Sequence, residues 1–328
     1  MKATSRNDIA RALIEEYPSH SQRNLARILY KRHPLLFKDV DYARAAIRRA
    51  TGSSADGSRV VEDYKKHSPG QESPPPLPRS KAKSWLPVSI EGRKALVLSD
   101  IHLPFHSLSA LNGALRVGDE FAPDVILLNG DIIDFSAISK YETDPTKRDL
   151  AGELRALQTF LEHVRTRYRK ARIVYKLGNH EERWWPYMWR KCPEFLGIEA
   201  VSFPALSGAD NLGIEIVQEK RIVMLGKLPV LHGHELPRGL ATPVNPARGA
   251  FLKALETVMV AHEHRTSEHP ETTLLGRTIT TWSTGCLSEL HPQFRPINRW
   301  NHGAATVEIA RNGDFSVRNF KIKNGRVL

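Results

Sequence analysis

Cysteine is nearly missing from this chain: Cys192 and Cys286 are the whole supply among 328 residues. Two thiols that far apart cannot frame a disulfide scaffold, so a reducing compartment is expected. Long apolar runs are missing as well. No segment approaches the roughly 20 apolar residues that span a bilayer. The opening MKATSRNDIARALIEEYP contains no apolar signal core, which excludes a membrane role and points to the cytoplasm. There is no internal repeat and no glycine-rich phosphate loop of the Walker type, so neither a solenoid nor P-loop chemistry is expected. What is present, 41% hydrophobic residues, suffices for one large α/β domain and a smaller one.

Acidic residues are the scarcer charge. Lys and Arg number 48 against 36 Asp and Glu, a net +12. The excess is uneven, because residues 1–50 hold 11 basic and 5 acidic side chains. A basic surface of this kind favours polyanions, and simple solubility is the plain alternative. The same segment has helical periodicity. Ile9, Ala10, Leu13 and Ile14 fit a helix stopping near Pro18, and Ser21 can cap a second helix carrying Leu25, Ile28 and Leu29. A third runs from about Asp39 to Ala50. Its apolar stripe is Val40, Ala43 and Ile47; Arg44 and Arg48 share another face, with Arg49 and Tyr42 beside them. Residues 1–51 are thus expected to form a helix-turn-helix-like module whose arginines meet a phosphate backbone, DNA being favoured over RNA. Residues 52–84, with prolines at 74–76 among Gly, Ser and charge, read as a flexible linker to a domain over 85–328.

From Lys94 the pattern changes to short aliphatic runs alternating with amphipathic stretches near 108–121 and 149–169, a βαβα order that implies a parallel or mixed sheet. KALVLS, DVILLN, ARIVYKL, LPVLH and TVMVA read as central strands. After Gly276, TITTWSTG, AATVEIA and FSVRNFKIK suggest a second sheet. Each central strand runs into metal-ligating residue types: Asp100 and His102; Asp131; Asn179, His180 and Glu181; His232 and His234; His262 and His264. The carboxyl ends of strands in α/β sheets converge on one crevice, so these groups can meet. A lone Asp or His after a strand is more often a cap. Five in succession point to borderline divalent metals.

The series DIH, GDIID, GNHE, HGH and AHEH resembles the calcineurin-like metallophosphoesterase superfamily over roughly residues 93–322, and most resembles members found in bacteriophages and prophages. The resemblance implies a four-layer αββα sandwich and two metal ions. Asp100, His102 and His264 would hold one ion, Asn179, His232 and His262 the other, and Asp131 would bridge them. His232 is preferred to His234 because it ends the strand. Manganese is the expected metal, with iron, zinc or nickel also suited. Hydroxide formed from a bridging water would attack phosphorus, with His180 protonating the leaving oxygen. Asp134, Arg183 and His234 are expected to support ligands or to meet substrate. Ala261 stands where the family has glycine. Phe135 and Ser136 stand where protein phosphatases of the superfamily carry an Arg-Gly pair, which argues against a protein substrate.

Three functions follow. The first is a nuclease or end-processing phosphatase acting on nucleic acid. A phosphoesterase for a small substrate such as a cyclic nucleotide is the second, and a non-enzymatic DNA-binding protein the third; the full ligand set disfavours the last. Residue patterns alone leave the oligomeric state open.

Overall fold

The computed structural model describes residues 5–18, 20–52, 76–82, 85–141, 144–237 and 244–328. The expected linker lies mostly outside the described residues; its residues 76–82 are exposed and without regular structure. The chain divides into two units, 1–82 and 83–328. No helix among the described residues is long and apolar enough to cross a membrane.

Three short helices make the first unit, each started by a side-chain cap. In α1 (Arg6–Glu16) Ser5 and Asp8 cap each other reciprocally. Ser21 caps α2 (Gln22–Arg32) and Asp39 caps α3 (Val40–Ala50) by accepting from backbone N–H groups of the first turn, which have no partner inside the helix. Leu13, Leu25, Leu29, Phe37, Ala43 and Ile47 close one small core. Arg48 and Arg49 remain exposed on α3, and Arg44 is half-buried.

The second unit carries two sheets. One has seven strands in the order β13-β12-β11-β2-β3-β4-β5. Its centre is the parallel set β2 (Lys94–Leu98), β3 (Val125–Asn129) and β4 (Arg172–Lys176), extended by β5 (Glu215–Val217). On the other side of β2 stand β11 (His302–Ile309), β12 (Phe315–Lys323) and β13 (Arg326–Val327), all antiparallel. The six-stranded sheet has the order β1-β6-β7-β8-β10-β9, built from β1 (Val88–Ile90), β6 (Val223–Leu225), β7 (Leu228–Val230), β8 (Val258–Val260), β9 (Ser267–Thr272) and β10 (Thr278–Ser283).

Alternation along β3 shows how the layers stack. Val125 and Leu127 join Ala95, Val97, Val223, Val230 and Met259 in a core between the sheets. Ile126 and Leu128 point the other way, into a core with α4 (Leu108–Phe121) and α5 (Leu150–Arg167). On the far face of the six-stranded sheet, Ala250 of α8 (Pro246–Ala254) packs on Val258 and Val260. Two further helices, α6 (Trp184–Lys191) and α7 (Phe203–Ser207), extend the first helical layer. The result is an αββα sandwich. A strand with a side chain on each of two cores must be apolar at every position, which is why β3 reads as a continuous run.

The second sheet is composed differently from the expectation. AATVEIA and FSVRNFKIK, as β11 and β12, extend the first sheet, because β11 is buried on both faces and pairs with β2. LPVLH and TVMVA, read as companions of the first three strands, belong instead to the six-stranded sheet with TITTWS. Strand sequence reports burial, and both sheets bury their inner faces equally. Leu127→Ala and Leu128→Ala, each removing buried volume from one of the two cores, should each lower unfolding free energy by about 2–5 kcal/mol. Chemical denaturation checks this, and a loss at only one position would contradict the double burial of β3.

Candidate metal centre

The ligand-bearing ends of both sheets are joined by polar bonds. In the first sheet the segment after β2 zips onto the segment after β3: Asp100 N donates to Gly130 O (3.1 Å), His102 N to Asp131 O (3.0 Å) and Leu103 N to Ile132 O (2.8 Å). Ala261 N of the second sheet donates to His232 O (2.7 Å). Between sheets, Asn129 Nδ2 donates to Leu231 O (2.8 Å) and His262 N to Asp100 Oδ2 (3.1 Å). Two glycines permit this closeness. A Cβ on Gly130 would stand 2.5 Å from His232 Nδ1, and one on Gly178 would overlap the Asp131 carboxylate.

Three groups of potential ligand atoms result: Asp100, His102 and His264; His102, Asp131 and His180; and Asp131, His232 and His262. Within each, the atoms lie within 4.8 Å of one another. Asp131 belongs to two of the groups and stands between the other flanks, its Oδ2 being 3.2 Å from His232 Nε2 and 3.9 Å from His102 Nε2. Asn179 adds a buried Oδ1 with no hydrogen-bond partner.

The far side of each ring explains what the near side offers. His232 Nδ1 donates to Asn129 O (2.8 Å), and His102 Nδ1 donates to Asp134 Oδ1 (2.8 Å). Each Nε2 is left with a lone pair aimed inward. His102 Nε2 faces His264 Nε2 at 3.2 Å, and His264 Nε2 faces Asp100 Oδ1 at 3.2 Å. Asp100 Oδ1 and His232 Nε2 are buried without hydrogen-bond partners. Lone pairs directed at lone pairs fit divalent cations held among them, since buried acceptors need a positive partner. The residues present therefore suit a pair of metal ions.

Without a cation, protons take its place. Burial opposes charge on Asp131, yet His232, His180 and His102 hold its carboxyl well below the usual range. Burial also opposes a charged His232, but Asp131 and Asp100 push it up to about 10. His262 goes the other way, to about 4, because it is buried beside His232.

Asp134 joins two rings, its Oδ1 lying 2.8 Å from His102 Nδ1 and 3.2 Å from His180 Nδ1. Against burial, these histidines lower its carboxyl pKa. Arg183 sits against His180, with Nη2 2.9 Å from His180 Nε2 and Nη1 donating to Asp134 O (2.9 Å). His234 lies outside the three ligand groups and instead pairs with Glu182 (3.2 Å) and Glu235 (3.5 Å).

Lys176 with Glu235, and Trp300, carried no expectation from the sequence, whereas Glu181, expected among the metal-ligating residue types, is instead a positioning group outside the three ligand groups. Glu181, fully buried, accepts from the N–H groups of Asp131 (3.0 Å), Ile132 (2.7 Å) and Gly178 (2.8 Å) and from Tyr175 Oη (2.7 Å). One carboxylate thereby binds the turn after β3 to the turn after β4. Lys176, buried inside β4, pairs with Glu235 at 2.6 Å, and Glu235 also accepts from Gly233 N (2.7 Å). Burial opposes the charge of Glu235, but Lys176 draws its pKa down to about 2. Trp300 lies against His264, with ring centroids 4.2 Å apart and the planes tilted by 53°. A lysine in the apolar run RIVYK and an acid directly after each of GNH and HGH were the available signals.

An αββα sandwich with this cluster at its strand ends defines a class, the calcineurin-like phosphoesterases. Residues 93–274 match that family, and the chain belongs to it as a metal-dependent phosphoester hydrolase. It is similar to the Gene 54 protein of Mycobacterium phage L5, 25% identical over 187 residues that cover 55% of this chain and 72% of that protein. Among solved structures, a dimetal phosphatase from Danio rerio is similar at 12% identity and a TM-score of 0.39, covering 72% of this chain and 98% of its own. A phosphoesterase from E. coli is similar at 16% and 0.32, covering 69% and 98%.

Divalent ions added to the metal-free protein at pH 8 should displace on the order of one proton or more, because ligands must lose protons to bind. Affinity should accordingly fall as pH falls. Calorimetry in two buffers of different ionisation enthalpy measures the release, and none would contradict the raised His232. Glu181→Gln turns an amide NH₂ toward backbone N–H groups and should weaken metal affinity about 10–100-fold. Direct metal titration decides it, and wild-type affinity would show that Glu181 does not shape the site.

Proposed function

We propose that the protein hydrolyses phosphate esters of nucleic acid, as a nuclease or an end-processing phosphatase, with manganese as the working metal. The observation that carries the chemistry is the shared Asp131, flanked on both sides by inward-facing imidazoles. The basic residues 1–50, with Arg48 and Arg49 exposed on α3, support a polyanionic substrate.

On this reading Asp100, His102 and His264 hold one ion, Asn179, His232 and His262 the second, and Asp131 both. A bound pair supplies Lewis acidity at the phosphoryl group and an acidified water. His180 delivers the proton to the leaving oxygen. Burial opposes its protonated form, but Asp131 and Asp134 outweigh that and raise its pKa. The Nδ1–H donates to Asp134 O (2.6 Å), which fixes the ring and presents Nε2 to the site. Arg183 contacts that Nε2 and favours the neutral ring. A phosphoryl oxygen that takes over the guanidinium frees Nε2 for the leaving group, so substrate arrival itself arms the acid.

The α3 arginines serve a different purpose. A weak phosphate contact on the same chain raises the local concentration of substrate without touching the chemistry.

His180→Gln should lower kcat about 10²–10⁴-fold on an oligonucleotide, with a smaller loss on a nitrophenyl diester whose leaving group needs no proton. Replacing Arg48 and Arg49 together by Ala in the full chain should raise KM for the oligonucleotide and flatten its salt dependence by about two phosphate contacts. An unaltered salt slope would favour a small substrate. Wild-type protein inert on oligonucleotide and small diesters under every divalent metal would favour a non-enzymatic role.

A further inference from the structure

The segment between β10 and β11 is unusual for a surface loop. From His291 to Asn301 it reads HPQFRPINRWN, with two arginines and no carboxylate. Phe294 is 80% exposed and Ile297 91%. Arg295 and Arg299 are also exposed, and neither forms an ion pair among the described residues. Exposed apolar side chains beside guanidinium groups that form no ion pair are costly to leave in water and fit a flat, anionic ligand.

The loop is braced by its own polar groups. Asn298 Nδ2 donates to Arg295 O (2.9 Å), Trp300 N to Asn298 Oδ1 (2.9 Å) and Arg295 N to Pro292 O (2.9 Å). At its end, Asn301 N donates to the main-chain oxygen of His264 (3.0 Å), which ties the loop to a metal-centre residue. Aromatic contacts continue outward from there. His264 meets Trp300 (4.2 Å between centroids), Trp300 meets Phe294 edge-on (6.3 Å), and Arg295 lies over the Trp300 ring (6.0 Å). At the other end of the loop Glu289 N donates to Phe105 O (2.9 Å), and Phe105 is itself 52% exposed. An apolar ledge with positive edges, braced by these bonds, therefore leads from the metal centre to open solvent.

We infer that this ledge is a stacking platform for single-stranded nucleic acid: a base next to the reacting phosphate lies on Phe294 and Ile297, while Arg295 and Arg299 hold the flanking phosphates. Aromatic faces accept any base, so the contact selects for an unpaired strand and not for a sequence. A duplex, whose bases are already stacked on each other, has no free face to offer. This inference deepens the nucleic-acid reading of the metal centre and rests on it.

The test uses the full chain. A fluorescent oligo-dT is titrated in EDTA, where no hydrolysis occurs, against wild type, Phe294→Ala and Arg295→Ala/Arg299→Ala; kcat/KM is then measured with manganese on the same oligonucleotide and on a nitrophenyl diester. Phe294→Ala should weaken oligo-dT binding about tenfold, the scale of one lost base stack, and should lower the oligonucleotide-to-diester ratio of kcat/KM by a similar factor. Phe294→Leu, which keeps the apolar area without the ring, should rescue neither. The arginine variant should weaken binding and flatten its salt dependence. Unchanged binding and an unchanged ratio in Phe294→Ala, in a protein that cleaves oligonucleotide, overturn the platform while the nucleic-acid function stands. Failure of that function is a different result, since wild type would then hydrolyse the diester and leave the oligonucleotide intact. A loss of duplex affinity in Phe294→Ala as large as the loss of single-strand affinity, or self-association abolished by Phe294→Ala, would also overturn it, the latter by giving the exposed ring a protein partner instead.

Discussion

Two carboxylates, those of Asp100 and Asp131, are removed from water and set among imidazoles that point lone pairs back at them. Burial of this kind is tolerable only when positive charge is supplied from somewhere. Protons supply it when nothing else is present, and divalent ions are the better answer because each can satisfy several acceptors at once. Much of the surrounding architecture serves to keep the negative groups close. Two sheets are stacked so that the carboxyl ends of β2, β3, β4, β7 and β8 meet, and bonds from Asn129 and His262 cross between them. Gly130 and Gly178 are small because a side chain at either would occupy the space of a ligand.

Behind this cluster lies a layer of polar groups that fixes where its side chains point. Glu181 gathers backbone donors from two turns, Asp134 orients two histidines, and the Lys176–Glu235 pair anchors the turn that carries His232. Each of these carboxylates meets several donors or a cation, which is what allows it inside. Their presence makes the metal centre a property of the folded core and not of the loops alone.

The residues that gather at the strand ends could be read from sequence because each lies just after an apolar run, where a polar residue needs a reason. Glu181 and Glu235 were harder to interpret. Their partners are backbone N–H groups brought close by tertiary folding, and nothing in a linear string says which amides converge. The partition of strands between sheets was illegible for a related cause: β7 and β11 are equally apolar, and only pairing, which is non-local, distinguishes them. Trp300 was hidden in the same way, since its importance comes from standing beside His264 across a long stretch of sequence. Helix limits were accessible where caps were explicit, as at Ser21 and Asp39, because capping is chemistry between near neighbours.

Asp100, His102, Asp131, His262 and His264 all have positive φ, between 51° and 68°. A left-handed conformation costs about 1–2 kcal/mol for a residue with a Cβ, so the fold carries that burden at five residues of the cluster together. Conformational work that a softer site would perform on binding is here done during folding. An arriving cation finds its donors already waiting and spends little of its binding free energy on organising them. The same stiffness limits which ions are accommodated, because a shape set by the backbone cannot expand or contract to suit the guest.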